Sequence, residues 1–481
     1  MAGTETVLLY NFENSPKLRG LKMIFLKMGI RMRMVTPDMY LQTIGALAHI
    51  KGYEWTDQVY EGDSFSDEMM VMSGFSNARL DELLRQMRKN KIPRIALKAI
   101  VTAHNASWNS LMLHGELGKE HAMMTGGASS SQNAMMDTVI YKGEGQFALE
   151  QRKIPSIVHP KDAIVKVTLA SICTSDLHIK HGSVPKAVPG IVVGHEMVGQ
   201  IVQLGSQVSG LAVGDRVAVN VETFCGECFF CQNGFVNNCT DANGGWALGY
   251  RIDGGQAEYV RVPFAQNGLT KIPDNVTDEQ AIFTGDILST GYWGAKISEI
   301  RKNDVVAVIG AGPTGICAML CARLYEPSQI IAIDIDESRL ALVREHGIAH
   351  VTINSSDSDP EQIIRQITDG RGADVVIEAA GGKDTFQTAW KIARPNAIVT
   401  VLALYEEDQI LPLPHMYGKN LTFKTGGVDA CDCSRILELI SDGKLDTTCL
   451  ITHRFPLKDA MKAYELFENK EDHVMKVVLK P

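Results

Sequence analysis

Four cysteines in the segment FCGECFFCQNGFVNNC could do chemistry as a set: Cys225, Cys228, Cys231 and Cys239. The first three follow C-x2-C spacing, and the fourth comes seven intervening residues later. Tetrahedral Zn²⁺ takes four thiolates at about 2.3 Å, and short C-x2-C turns point pairs of sulfurs at one centre. The alternatives are disulfides or buried apolar thiols. Nothing in the chain suggests an oxidising compartment, so zinc is the expectation. A site closed by four thiolates is structural, because it leaves no position open to substrate. Reacting chemistry must lie elsewhere.

Three further elements carry ligating residues. They are Cys173-Thr174-Ser175-Asp176-Leu177-His178, Gly194-His195-Glu196, and Gly285-Asp286 within FTGDILSTGYWGA. A catalytic zinc needs about three protein ligands and one open position. Cys173, His195 and Asp286 offer a thiolate, an imidazole and a carboxylate. Taken singly, each has a dull explanation: a solvated or hydrogen-bonded structural residue, or a small buried hydrophobe. No spacing rule brings the three together.

A fourth motif binds phosphate. Val305–Ile309 reads as a buried parallel strand, and Gly310-Ala311-Gly312-Pro313-Thr314-Gly315 follows at once and opens a helix. In this pattern the first glycine makes the tight turn, the second lets a pyrophosphate approach the backbone, and the third allows close helix packing. A lone GxGxxG is weak, but this one sits between strand and helix. Asp334 ends a second strand at Ile330–Ile333, about 20 residues on, as the fingerprint expects. Its carboxylate should take ribose hydroxyls and repel a 2′-phosphate, which favours NAD(H).

The elements that position these residues divide the chain. Fifteen of the 20 methionines lie in residues 1–136, and all ten cysteines come later. Between them Thr125–Ala134, TGGASSSQNA, has flexible-linker composition. In residues 1–124, strands are expected at Val7–Tyr10, Met69–Met72 and Ile95–Val101. Helices are expected at Pro16–Met28, from about Asn77, and near Ser107–Met123. This alternation suggests a small α/β layer domain. It has no phosphate loop, nucleophile elbow or metal cluster, and its methionines at helical spacing read as core. It resembles a small bacterial α/β domain, a resemblance that carries no function.

From Met136 the chain resembles a zinc-dependent medium-chain alcohol dehydrogenase. The matching motifs are CTSDLH, GHEMVGQIVQLGSQV, GDRV at Gly214–Val217, the four-cysteine lobe, DGGQAEYV, the fingerprint, and the closing ITHRFPLKDAMKAYELF at Ile451–Phe467. The resemblance implies a GroES-like catalytic domain at 136–284, a doubly wound Rossmann NAD-binding domain at 285–427, and a return to the catalytic domain at 428–481. The linker would then be 125–135. It implies catalytic zinc on Cys173, His195 and Asp286, with Glu196 beside the metal and able to enter its coordination. It gives two zincs per chain and a zinc-held alkoxide that loses hydride to NAD. Asp286, where some members have Cys, resembles the secondary-alcohol and formaldehyde dehydrogenase branches. Ser175 can pass a proton and His178 can deliver it to solvent near neutral pH. In the family these positions form a relay through the cofactor ribose; otherwise they are a turn residue and a surface residue. A basic residue at Arg339 contacts the ribose in the family and leaves NADP(H) conceivable.

Further strands are expected at Ala373–Glu378 and Ala397–Leu402. Cys317 and Cys321 read as packing residues, and Cys431 and Cys433 lack a second pair. The net charge of −9 argues against a nucleic-acid or anionic-membrane surface. No segment reads as a secretion signal or a spanning helix, which points to the cytosol. The expected partners are a small alcohol or carbonyl substrate and further copies of the chain, as dimer or tetramer. A rival reading is a catalytically silent nucleotide- or zinc-binding regulator, which would usually show a lost ligand or a broken glycine motif; neither is broken here.

Overall fold

An apolar residue at every position marks a strand covered on both faces. Val305–Ile309 (VVAVI) is such a strand in the computed structural model, which describes residues 5–13, 15–62, 64–90, 92–93, 95–102, 105–117 and 134–481. Val306 and Val308 face one hydrophobic layer, and Val305, Ala307 and Ile309 face the other. The strand is central in a six-stranded sheet whose pairings are all parallel. The order is Val351–Asn354, Gln329–Asp334, Val305–Ile309, Ala373–Glu378, Ala393–Val401, Thr422–Thr425. Numbered along the chain this is 3-2-1-4-5-6, the doubly wound dinucleotide-binding order. The glycine fingerprint leaves the carboxyl end of the first strand, at the point where the strand order reverses. Cys317 and Cys321 are wholly buried on the helix Pro313–Ala322, as packing residues.

The cysteine- and histidine-bearing half is mainly antiparallel. Its seven-stranded sheet centres on Ala163–Ile172, which pairs with Glu196–Leu204, with Tyr259–Val262 and with Lys476–Lys480. The chain thus leaves this sheet for the dinucleotide-binding sheet and returns to it. The chain forms two compact units, Met1–Gln132 and Asn133–Pro481.

The first unit is a four-stranded sheet in the order Arg31–Val35, Thr6–Tyr10, Met69–Ser73, Leu97–Ile100. The outer pairings are parallel and the central one is antiparallel. Helices Leu18–Met28 and Asn77–Lys89 cover the face bearing Val7, Leu9, Met70 and Met72. Residues 110–117 are helical, and Leu113 and Leu117 join the core of the opposite face. Met69, Met70, Met72 and Met87 are buried, as the core reading expects, while Met23 and Met112 are exposed. Strand Arg31–Val35 was not expected from the sequence. Residues 118–123 of the expected helix and 125–133 of the expected linker lie outside the described residues. Met135, placed at the end of that linker, belongs instead to a strand, where it pairs with Lys153.

Among the described residues no helix is long and apolar enough to cross a membrane.

Candidate active site

Two of the three expected metal ligands sit at helix N-termini. Cys173 is the N-cap of Thr174–Lys180, and Asp286 is the N-cap of Ile287–Ile297. Unpaired backbone N–H groups make a helix N-terminus positive, which favours a thiolate or a carboxylate there. Asp176 closes the first helix by accepting from the Cys173 backbone N–H at 3.0 Å. Gly285 brings Asp286 in close: a Cβ on it would lie 1.9 Å from the carbonyl oxygen of Val219. His195 immediately precedes strand Glu196–Leu204.

These elements converge. One ligating atom each from Cys173, His195 and Asp286 lies within 4.8 Å of the others. His195 Nε2 is 3.3 Å from Asp286 Oδ2, and Cys173 Sγ is 3.9 Å from the same oxygen. Asp176 Oδ1 lies 3.3 Å from His195 Nδ1. Burial works against charge on His195, but Asp176 and Asp286 outweigh it and hold the imidazole pKa well above its usual range. Burial pushes the Asp286 carboxyl up, and His195 and Lys476 more than reverse that. Such a mutual pull among soft and hard donors is the chemistry a divalent cation satisfies.

Glu196 is fully enclosed beside them. Its Oε2 is held by Lys476 Nζ, while Oε1 is buried without a partner. Burial raises the Glu196 pKa despite Lys476, and Asp286 raises it further. An orphaned carboxylate oxygen next to three ligating groups fits a residue able to enter metal coordination. Lys476 also donates to the Ile172 carbonyl at 3.2 Å and lies over the Phe283 ring. It was not foreseen, and neither was the chain of hydrogen bonds behind His195. There Gln256 Nε2 donates to Asp176 Oδ2 at 3.0 Å, and Tyr464 donates to Gln256 Oε1 at 2.7 Å. Outer partners of this kind fix the ring orientation of a ligating histidine.

Ser175 and His178 are three apart on Thr174–Lys180 and share a helix face. Ser175 Oγ lies 3.8 Å from Cys173 Sγ. His178 is partly exposed, 3.7 Å from Glu406.

The four-cysteine lobe is also assembled, with one sulfur from each cysteine within 4.8 Å of the others. All ten cysteines are free thiols, so no disulfide competes. The backbone N–H groups of Glu227 and Cys228 both donate to Cys225 Sγ at 3.4 Å, and that of Cys225 donates to Cys239 Sγ at 3.4 Å. Backbone N–H groups of Cys231 and Thr240 hold the Cys228 thiol down to about 6, a thiolate at neutral pH. Burial pushes Cys231 up to about 12. Amides aimed at sulfur stabilise thiolates, the form a zinc ion requires.

In the fingerprint, Gly310 has φ +99°, and a Cβ on Gly315 would lie 1.8 Å from the Gly310 carbonyl oxygen. The turn and the close helix approach therefore both need glycine. Asp334 does more than await a ribose. Its Oδ2 accepts from Ala311 N–H at 2.6 Å and its Oδ1 from Asp336 N–H at 2.9 Å, tying the glycine loop to the second strand. Arg339 lies 3.9 Å from Asp334 and 3.7 Å from Asp336.

Residues 159–274 match the family described as alcohol dehydrogenase GroES-like domain, and residues 313–441 match zinc-binding dehydrogenase. Residues 68–124 match a domain of unknown function (DUF3783). An alcohol dehydrogenase of Cupriavidus necator is 38% identical over 368 residues, covering 72% of this chain and 99% of that protein. Among solved structures, an alcohol dehydrogenase of Escherichia coli CFT073 complexed with NADH is 29% identical, with TM-score 0.67, covering 73% of this chain and 100% of the other. A zinc-binding dehydrogenase of Sinorhizobium meliloti 1021 bound to NADP is 27% identical, with TM-score 0.66 and the same coverage. From its first GroES-like strand to its last, this chain belongs to the zinc-dependent medium-chain alcohol dehydrogenases, oxidoreductases of the CH–OH group, and carries an extra N-terminal α/β unit.

Proposed function

We propose that the protein oxidises a secondary alcohol, a polyol or another small alcohol, or reduces the matching carbonyl, with NAD(H). The observation that carries this reading is the convergence of buried Cys173 and His195 with half-buried Asp286. When bound, zinc on these residues supplies Lewis-acid polarisation of the alcohol oxygen, and NAD supplies a hydride acceptor. Asp176 orients His195, and Glu196 stays poised through Lys476. Ser175 takes the hydroxyl proton and His178, on the same helix face, hands it to solvent. Cys225, Cys228, Cys231 and Cys239 hold a second, structural zinc. A panel of primary alcohols, secondary alcohols and polyols, read by NADH absorbance, tests the reading. Absence of turnover on all of them would favour the silent regulator, against which the intact ligand sets already weigh.

NAD(H) is supported by Asp334, with Asp336 two residues on, at the end of the second strand. Two carboxylates there oppose a 2′-phosphate, and Arg339 offers it a partner. We expect kcat/KM with NAD⁺ to exceed that with NADP⁺ at least about tenfold, since like-charge juxtaposition costs several kcal/mol. Asp334→Gly should narrow the ratio. It should also weaken both cofactors, because the glycine loop loses its anchor. Preference of the wild type for NADP⁺ would refute the assignment.

Domain boundaries at 136, 285 and 428 are part of the same proposal. Every residue given a role lies after Met136, and each unit has its own hydrophobic core. A protein beginning at Met136 is expected to fold, bind zinc and keep kcat/KM within a few-fold of the full chain. Loss of most of its kcat/KM with zinc retained would give the N-terminal unit a part in catalysis. A cytosolic homodimer or tetramer completes the reading. It is supported by the edge strand Thr422–Thr425 and by exposed Leu404, Ile410, Leu411, Leu413 and Tyr417 in the segment leading to it.

A further inference from the structure

Beside the ligand cluster lies a buried acid that none of these steps uses. Glu222 keeps only 6% of its surface exposed. Among the described residues its carboxyl has no hydrogen-bond or ion-pair partner, and Oε2 is sealed from solvent. Such a group normally costs on the order of 1–3 kcal/mol, so an unpaired one needs a reason. Arg251 lies near, but four of the five N–H groups of its guanidinium are already used. It donates to the carbonyls of Ala242, Gly244 and Trp246 and to the Tyr250 hydroxyl.

A second orphan faces the same way. Glu222 and Trp246 are directly paired residues of a two-stranded antiparallel ribbon, so their side chains leave the same face. The Trp246 ring stands edge-on to the His195 ring, with centroids 5.5 Å apart. Its indole N–H is also buried without a partner. The ribbon face thus looks toward the ligand cluster, and the charge of Asp286 is felt at Glu222. The surrounding wall is apolar: Val221, Val428 and Ala430 pack with Trp246 and Trp293. An unpaired acceptor and an unpaired donor on one face of an apolar wall form the pattern of a specificity site.

Resting on the dehydrogenase reading, we propose that Glu222 and Trp246 together recognise a second hydroxyl group on the substrate, next to the carbon that is oxidised. A hydroxyl is both donor and acceptor, so one group satisfies the carboxyl oxygen and the indole N–H at once. An ammonium fits less well, because it has nothing to offer Trp246. Burial, with Asp286 adding to it, also pushes the Glu222 carboxyl up to about 8. The favoured substrates are therefore vicinal diols and polyols, over monoalcohols of the same skeleton. A site built to hydrogen-bond a hydroxyl rejects the analogue lacking it far more strongly than an apolar pocket rejects a missing methylene.

The test is a ratio: kcat/KM for 2,3-butanediol over kcat/KM for 2-butanol, measured on the full chain. These substrates share a skeleton and differ by one hydroxyl. The wild type is expected to prefer the diol at least tenfold. Glu222→Met, an apolar replacement of similar size, should cut the ratio at least tenfold while zinc content is kept. Trp246→Phe removes the N–H but keeps a ring, and should cut the ratio several-fold. It also provides the reading if Glu222→Met does not fold. Equal preference in the wild type, or a ratio unmoved in whichever variants fold, overturns the inference and leaves the dehydrogenase reading standing. No oxidation of either alcohol by the wild type with NAD⁺ or NADP⁺ removes both.

Discussion

Cys173→Ser is expected to lower turnover by about 1,000-fold or more while leaving the fold in place. The Cys173 sulfur is one of three ligating atoms that converge, and the residue caps the N-terminus of helix Thr174–Lys180. Lewis-acid stabilisation is worth several kcal/mol, and each ~1.4 kcal/mol is tenfold in rate. Cys228→Ser should do the opposite. Its lobe holds four half-exposed sulfurs away from that cluster, and a structural zinc contributes folding free energy outright. A loss of about 3 kcal/mol lowers Tm by roughly 6–12 °C in a domain of 150–250 residues. Elemental analysis should give two zincs per wild-type chain and one in each variant. Equal loss of fold in both variants, or fewer than two zincs in gently handled wild type, would undo the division of roles.

The second large effect is expected at Lys476. Its ammonium is buried, and burial works against its charge. Cys173, Glu196 and Asp286 outweigh that and hold its pKa above the ordinary lysine value. Lys476→Met leaves the Glu196 carboxyl enclosed without the ammonium that holds its Oε2. Breaking a buried pair on one side costs about 3–5 kcal/mol, because the remaining charge is uncompensated. Adding Glu196→Gln should restore most of that loss, since it removes the stranded charge. Thermal or urea unfolding of the single and double variants reads this directly. A single variant within 1 kcal/mol of wild type would mean, by that same estimate, that Glu196 does not depend on Lys476.

What could be read from the sequence was whatever is local in the chain. The cysteine lobe lies within one short segment, so its spacing alone predicts the cluster. The fingerprint is likewise a strand, a glycine turn and a helix in succession, and a doubly wound parallel sheet follows from alternation, whereas the strand order 3-2-1-4-5-6 comes from the structure. Cys173, His195 and Asp286 come from three distant segments, and only resemblance to a family joined them. Lys476 escaped because its place is set by strand Lys476–Lys480 pairing beside Ala163–Ile172, a contact no local pattern encodes. Asp176 stood inside a quoted motif, but an acid three residues after a cysteine reads equally well as a plain helix cap. Strand Arg31–Val35 was missed because arginine alternates with methionine along it. That charge suits a sheet edge and masks the apolar run that marked its buried neighbours. Glu222 and Trp246 meet across a two-residue ribbon, too short for any periodicity.

The return of the chain to its first sheet has a consequence for synthesis. The six parallel strands are contiguous between Val305 and Thr425, so that half can take shape as it leaves the ribosome. The sheet that carries Cys173 and Glu196 is made earlier but cannot be finished then. Its strand Ala163–Ile172 lacks a neighbour, and Glu196 lacks its cation, until Lys476–Lys480 has been translated. Nascent chains stalled before that strand should therefore hold a formed nucleotide-binding half beside an open, protease-sensitive metal half.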